Sequence, residues 1–341
     1  MLLLLTLAMG VATPPKPGEL RSFEDWSVGC DNGRSCTAVS LMEVETNENQ
    51  LTLQIVRSGA PNASAQLRIP NIEQRAPNMR VALVRNDATV LAQATLPPEG
   101  QTLTISPLDA ALANGLSKGR FVTLQGPMGE RLGRASLRGV QAALQFVDAQ
   151  QGRTNSVTAL ASPGPAPVTS LSPPPPLPAI VPTRPPRAEA FDLSAADVEG
   201  LQARTGCELT DQPALPARAV RIDRRTWLAL LPCSLGSYNV VTSPILITGS
   251  GKGRRMKPAE FDFGPGFSQT DGVPLLSNAT WDAQKGELAS FSKGRGLGDC
   301  GSAETYVWDG RRFRLTYQIA MAECRGVLDW IPVWRAEVKR R

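Results

Sequence analysis

The sequence predicts a mainly β protein with a few short helices, built as two β-rich modules of sandwich or open antiparallel sheet type joined by a proline-rich linker. Three observations predict it. Short apolar segments that alternate with polar residues recur between turn signals in both halves. Eleven of the 27 residues from Ala161 to Arg187 are proline. The six cysteines divide two before that stretch and four after it. At about 150 residues per domain, 341 residues make about two.

The chain opens on Leu2, Leu3, Leu4, Leu5, Thr6, Leu7, Ala8 and Met9, a run that stops at Pro14 and Pro15. It is too short for a bilayer span of about 20 residues but fits the apolar core of a secretory leader. Gly10, Val11 and Ala12 supply small residues for cleavage, so residues 1–12 are expected to be a signal peptide and Thr13 the first mature residue. No Lys or Arg precedes the run. Either the start lies further upstream or the free amine serves as the charge. No later segment is apolar for long enough to span a membrane.

Residues 20–155 form the expected N-terminal module. Trp26, Val28 and Cys30, then Leu51, Leu53 and Ile55, then Val81 and Leu83, Val90 to Leu96 and Phe121 to Leu124 are its strand segments. Asp31-Asn32-Gly33 and Asn86-Asp87 are hairpin signals between them. Leu137, Val140, Leu144 and Val147 share helical spacing, with Ser136 as the expected N-cap and Gly152 placed to end the helix. Residues 156–190 are the linker. Its prolines predict an extended spacer reaching up to about 80 Å, which would leave each module to fold alone.

Residues 191–341 form the C-terminal module. Ser194 with Asp197 starts a short helix carrying Val198 and Leu201 and ending near Gly206. Trp227 to Leu231 and Ile245 to Ile247 suit buried strands, and Tyr306 to Trp308 with Phe313 to Tyr317 form a hairpin about Asp309-Gly310. A faint repeat relates Trp281-Asp282 through Leu288 to Trp308-Asp309 through Leu315, read as two related hairpins in one sheet. About 150 residues are too few to close a propeller.

Six cysteines in an exported chain predict disulfides. Six allow 15 pairings, but closing the shortest loops favours Cys30 with Cys36, Cys207 with Cys233 and Cys300 with Cys324. The small loop should contribute about 2 kcal/mol and the larger ones about 3 to 3.5 each.

Composition excludes much chemistry. The chain has no histidine, which removes Ser-His and Cys-His catalysis and histidine-ligated zinc. No C-x-x-C pair is present, so neither a metal site nor a cofactor is expected. The net charge of +5 divides as 16 basic against 14 acidic residues up to position 190 and 20 against 17 beyond it. Neither half is a nucleic-acid module.

Four motifs tempt and fail. Gly296-Leu297-Gly298-Asp299-Cys300-Gly301 satisfies G-x-G-x-x-G, but strand-like residues follow where a dinucleotide site needs a helix. Gly249-Ser250-Gly251-Lys252 lacks the first glycine and the magnesium-binding hydroxyl of a phosphate loop. Ser290-Phe291-Ser292-Lys293 with Ser237-Tyr238-Asn239 imitates the penicillin-recognising pattern in reversed order, and Ser290 lies in an expected strand. Lys252, Arg254, Arg255 and Lys257 lack interleaved aromatics and are expected to be solvated. No catalytic residue is assigned.

The candidate binding residues are Arg295, Asp299, Tyr238 and Asn239. Four glycines in the eight residues Gly294 to Gly301 exceed what a plain hairpin needs. A disulfide at Cys300 would hold that turn rigid, while Arg295 and Asp299 would donate to and accept from a polar ligand. The competing reading makes Asp299 a turn cap and pairs Arg295 with a neighbouring strand. Tyr238 and Asn239 follow a buried strand beside Cys233.

Phe23-Glu24-Asp25-Trp26 before Cys30, Ala142-Ala143-Leu144 leading to Asp148-Ala149-Gln150-Gln151-Gly152-Arg153, Pro232-Cys233 with Tyr238-Asn239, and Lys293 to Gly301 with Trp308-Asp309-Gly310 carry a resemblance. Through them the chain resembles the exported bacterial six-cysteine family catalogued as domain of unknown function 1176, over nearly its whole length. The N-terminal module also resembles the invasion-associated locus B family through its Trp-x-x-x-Cys start and closing helix. The resemblance implies a Gram-negative envelope protein, periplasmic or secreted, and carries no activity, cofactor or catalytic residue. The expected function is a non-enzymatic binding or interaction protein with an envelope or host component as partner. The alternatives are a carboxylate-dependent cell-wall or carbohydrate-active enzyme and an inhibitor of a secreted hydrolase such as lysozyme.

Overall fold

A computed structural model describes residues 14–43, 49–70, 72, 78–98, 101–184, 186–187, 189–207, 217–265 and 272–340. The expected leader, 1–12, and Thr13 lie outside these.

Alternation builds the first half. In the strand Ala65–Ile69, Ala65, Leu67 and Ile69 are buried while Gln66 and Arg68 are less so, giving one face to the core. Six antiparallel strands form one sheet in the order Leu20–Phe23, Trp26–Cys30, Cys36–Ser40, Gln54–Arg57, Ala65–Ile69, Leu103–Leu108. A second sheet runs Arg131–Ser136, Phe121–Gln125, Arg80–Arg85, Val90–Thr95. Trp26, Leu53, Ile55 and Leu67 from the first segment group meet Leu83 and Leu124 from the second in one core. Both predicted hairpin turns are present, joining Trp26–Cys30 to Cys36–Ser40 and Arg80–Arg85 to Val90–Thr95.

Helix α1 (Ala110–Ser117) had no counterpart in the sequence reading. It is capped by Asp109, whose carboxylate accepts from Leu112 N at 2.8 Å. Helix α2 (Val140–Gln150) buries Val140, Ala143, Leu144 and Val147 and ends before Gly152 at φ 65°, but Ser136 does not cap it. Ser136 ends a strand and donates its hydroxyl to Asp25 Oδ2 at 2.7 Å. The helix starts four residues later, behind Gly139 at φ 90°. A Cβ there would lie 1.9 Å from Phe23 O, so the close chain crossing sets the start.

In the second half one sheet runs Ala190–Asp192, Arg218–Arg221, Thr226–Leu235, Val240–Thr248, Arg255–Pro258, with Leu276–Ser277 also paired to Val240–Thr248. Helix α3 (Ala195–Thr205) has Ser194 as N-cap and Gly206 at φ 67° as C-cap, as the sequence predicts. It packs Val198 and Leu201 on Ala229, Leu231, Ile245 and Ile247. The other face meets the second sheet, where Leu228 and Leu246 join Leu288, Trp308 and Leu315. Cover on both faces is why these strands are continuously apolar. That second sheet runs Thr280–Asp282, Glu287–Lys293, Gly301–Trp308, Phe313–Met321, Ile331–Arg335, so the two repeat-related hairpins share it. The protein is mainly β, and among the described residues no sheet closes into a barrel.

Cysteines pair sequentially, with Cα separations of 4.0 Å for Cys30–Cys36, 4.1 Å for Cys207–Cys233 and 4.7 Å for Cys300–Cys324.

The two halves touch. Val39 and Leu41 share a core with Met321, Val327, Trp330, Ile331 and Val333, and Gly18 N donates to Val333 O at 2.8 Å. The proline-rich segment therefore does not stand apart as a free spacer. Ala179–Ile180 pairs in parallel with Glu337–Val338, Ile180 is buried, and Thr183 N donates to Trp308 O at 2.8 Å. A single apolar anchor among the prolines, with backbone bonds on either side of it, lays this part of the segment against the C-terminal half.

Candidate functional site

The turn between Glu287–Lys293 and Gly301–Trp308 is built by close approach. A Cβ at Gly301, φ 135°, would lie 1.9 Å from Ser292 O. One at Gly294 would lie 2.7 Å from Cys300 Sγ. Glycine is required at both, and Gly294 N closes the turn on Cys300 O at 2.8 Å.

Inside it Arg295 Nε donates to Asp299 Oδ1 at 2.7 Å, and Nη2 donates to Oδ2. Gly326 N donates to the same Oδ2 at 2.7 Å, across from the Cys324 end of the disulfide. Asp299 is 1% exposed. The hydrogen bond from Arg295, helped by that from Gly326, pulls its carboxyl down to about 2. Asp299 is thus a structural anchor, and Arg295 pairs with it inside the turn, not with a neighbouring strand.

Tyr238 and Asn239, in the turn before Val240–Thr248, reach the same place. Tyr238 OH donates to Gly294 O at 3.1 Å. Asn239 Nδ2 donates to Lys293 O at 2.9 Å, and its Oδ1 accepts from Lys293 N at 3.2 Å and Asn278 Nδ2 at 2.8 Å. All four predicted residues therefore gather at one tip. What the tip presents outward is partly apolar: Leu297 is 71% exposed, Tyr238 41% and Val240 39%. The Arg295 side chain is 44% exposed. Leu297 and Asn278 escaped the sequence reading. A large apolar residue between two glycines was the available signal for Leu297.

Beneath the tip the interior turns polar. Ser290, Glu304 and Gln318 are cross-strand neighbours on one rung, and Gln318 Nε2 donates to Glu304 Oε1 at 3.2 Å. Burial pushes the Glu304 carboxyl up. Glu304 Oε2, Ser243 Oγ, Ser277 Oγ, Ser292 Oγ and Tyr306 OH are buried without a hydrogen-bond partner among the described residues. Glu304 is the kind of displaced carboxyl that acid-base chemistry uses, but it is sealed from solvent. Ser290 lies in a strand and bonds to Ser277 N and O, both at 3.3 Å. A strand follows Gly296–Gly301 where a dinucleotide site needs a helix. Of the basic cluster, Arg254 pairs with Asp197 at 3.1 Å and Lys257 with Glu260 at 2.8 Å. Among the described residues no three metal-ligating side chains gather, and no helix is long and apolar enough to cross a membrane.

The family model described as "Protein of unknown function (DUF1176)" matches residues 20–337. Uncharacterized protein YpfG of Escherichia coli (strain K12) is 28% identical over 334 residues, 92% of each chain. The crystal structure of invasion associated protein b from Bartonella henselae aligns with 39% of this chain and 99% of its own, at 18% identity and a TM-score of 0.30.

Proposed function

The chain belongs to the DUF1176 family, and we propose that it is an exported, non-enzymatic binding protein of the bacterial envelope that engages a protein partner through the tip formed by Leu297, Tyr238 and Arg295. Its two β-rich modules, 20–155 and 191–341, serve as the scaffold. Three disulfides with no cysteine left over support an oxidising compartment. The observation that carries the reading is exposure combined with rigidity. Large apolar and aromatic side chains stand in solvent on a turn held by a disulfide, a bidentate ion pair and the Tyr238 and Asn239 clamps. Tyr and Arg are favoured anchors of protein contacts, and a turn already ordered loses little entropy on binding. The inhibitor reading is the case in which the partner is a secreted hydrolase.

A photo-crosslinking residue at position 297, in cells, tests this. One partner should be captured there, Tyr238→Ala should diminish the capture, and a crosslinker at Met128, 90% exposed in the other half, should miss it. Equal capture from both positions would refute the tip.

A further inference from the structure

We propose that the C-terminal half carries a second surface, at the end opposite the Leu297 tip, where arginines on separate turns dock the protein on an anionic phospholipid surface. Two strands fix which end this is. Thr226–Leu235 runs from Arg224 and Arg225 to the turn that holds Tyr238, and Gly301–Trp308 runs from the turn 294–300 to Arg311. Ten and eight residues of strand set the two ends about 25 to 30 Å apart.

Principles of sheet pairing and a few bonds draw the arginine-bearing segments together. Trp308 Nε1 donates to Asp223 Oδ2 at 2.6 Å, which joins the hairpin turn 309–312 to the turn 223–225. The end of the proline-rich segment spans the two. Thr183 N donates to Trp308 O at 2.8 Å, and Arg221 Nη1 donates to Glu189 Oε2 at 2.6 Å, with Arg187 exposed between these anchors. Arg255 lies at the same end, since it pairs with Thr248 and Thr248 with Thr226.

Arg187, Arg224, Arg225, Arg255 and Arg311 are exposed, and none has its side chain in an ion pair or hydrogen bond among the described residues. The carboxylates on these segments are already committed. Asp223 also accepts from Arg225 N and Thr226 N, and Asp309 accepts from Arg311 N and Arg312 N. Glu189 pairs with Arg221, Glu260 with Lys257 and Asp262 with Arg314. In the next hairpin Asp282 pairs with Lys285 and Glu287 with Arg340. The charge left over at this end is positive.

Guanidiniums bind phosphate oxygens through paired N–H groups. On the crests of separate turns they meet a plane of headgroups, whereas one small anion would need them to converge. Aromatic platforms for nucleic-acid bases are not offered, because Trp308 is buried and Trp227 packs against Phe191 and Arg221. Val181, 44% exposed two residues before Thr183, adds an apolar side chain for the interfacial layer. Docked by this end, the protein would turn the Leu297 tip away from the membrane.

Sedimentation with vesicles tests the surface, using the disulfide-bonded chain from Thr13 on, which contains every described residue and omits the apolar run at 2–9. Vesicles of equal parts phosphatidylglycerol and phosphatidylcholine should bind it at least about tenfold more tightly than phosphatidylcholine alone. Salt at about 1 M should abolish the difference. Arg224→Gln with Arg225→Gln should weaken binding about tenfold or more. Arg80→Gln with Arg120→Gln removes the same charge from exposed positions of the other half and should leave binding unchanged. Leu297→Asp should bind vesicles as wild type does, which separates this result from any at the tip. No binding, equal binding to neutral vesicles, or a loss no greater in the first arginine pair than in the second would each overturn the proposal. So would tighter binding to duplex DNA at matched phosphate concentration than to the vesicles.

Discussion

Two disulfide-closed turns, one in each half, use the same device to different ends. Asp31 follows Cys30 and Asp299 precedes Cys300, and both side chains are 1% exposed. Asp31 accepts from Gly33 N at 2.8 Å and Ser35 N at 2.9 Å, and Asp299 from Gly326 N at 2.7 Å. Each is neutralised by an arginine. For Asp31 it is Arg335, 304 positions away in the other half, whose backbone also exchanges two 2.9 Å bonds with Asn32. For Asp299 it is Arg295 in the same turn. A turn that borrows its cation becomes a joint; one that carries its own keeps its outer face free, which is why Leu297 stands in solvent.

Removing the borrowed cation should have the largest effect. Arg335→Met leaves Asp31 buried beside a hydrophobic group and should cost about 2 to 3 kcal/mol in chemical denaturation, the half-exposed arginine keeping the loss below that of a fully buried pair. After cleavage within 161–187, wild-type halves should stay together on gel filtration and the variant halves should part. An equal cost from Arg295→Met would erase the distinction between joint and tip.

Arg295→Met should cost less, because the exposed arginine is screened by solvent, and its mark should be the pH profile. The Asp299 carboxyl is held at about 2 in the folded chain against an ordinary 3.8. Its stabilisation is therefore complete above about pH 4 and lost as pH falls toward 2. The variant should flatten that loss in acid titrations followed by circular dichroism.

Glu304 runs the other way. Its folded carboxyl is raised by burial, so stability falls as pH rises past the ordinary value of 4.5, where the unfolded chain ionises first. Glu304→Gln should leave stability unchanged near pH 4 and gain about 1 kcal/mol at neutral pH. No gain at pH 7 would show that the polar rung accommodates the charge.

The smallest effect on stability belongs to the free face. Leu297→Asp should shift unfolding by less than about 0.5 kcal/mol, with the same melting curve and lost partner capture. A large destabilisation would mean that the tip is packed rather than presented.

Features set within a few residues were legible in the sequence. The alternation of Ala65–Ile69, the Ser194 and Gly206 caps of α3 and the Asp31-Asn32-Gly33 hairpin with its Cys30–Cys36 disulfide came from near neighbours, and the other two disulfides from sequential pairing over separations of 26 and 24. So did the choice of the Gly294 to Gly301 turn, where crowded backbone demands glycine. Helix α1 was missed because eight residues with only Ala113 and Leu116 buried leave almost no periodic signal. Ser136 was misassigned because its hydroxyl serves Asp25, 111 positions away. Which arginine answers which aspartate, where Ile180 docks, and that Arg57 Nη1 is left without a hydrogen bond among the described residues while Arg153 is bonded at Nε, Nη1 and Nη2 were decided by the tertiary structure alone. Local sterics and capping act through the chain itself, whereas a charge finds its partner, and an apolar face its cover, only where distant segments are brought into contact.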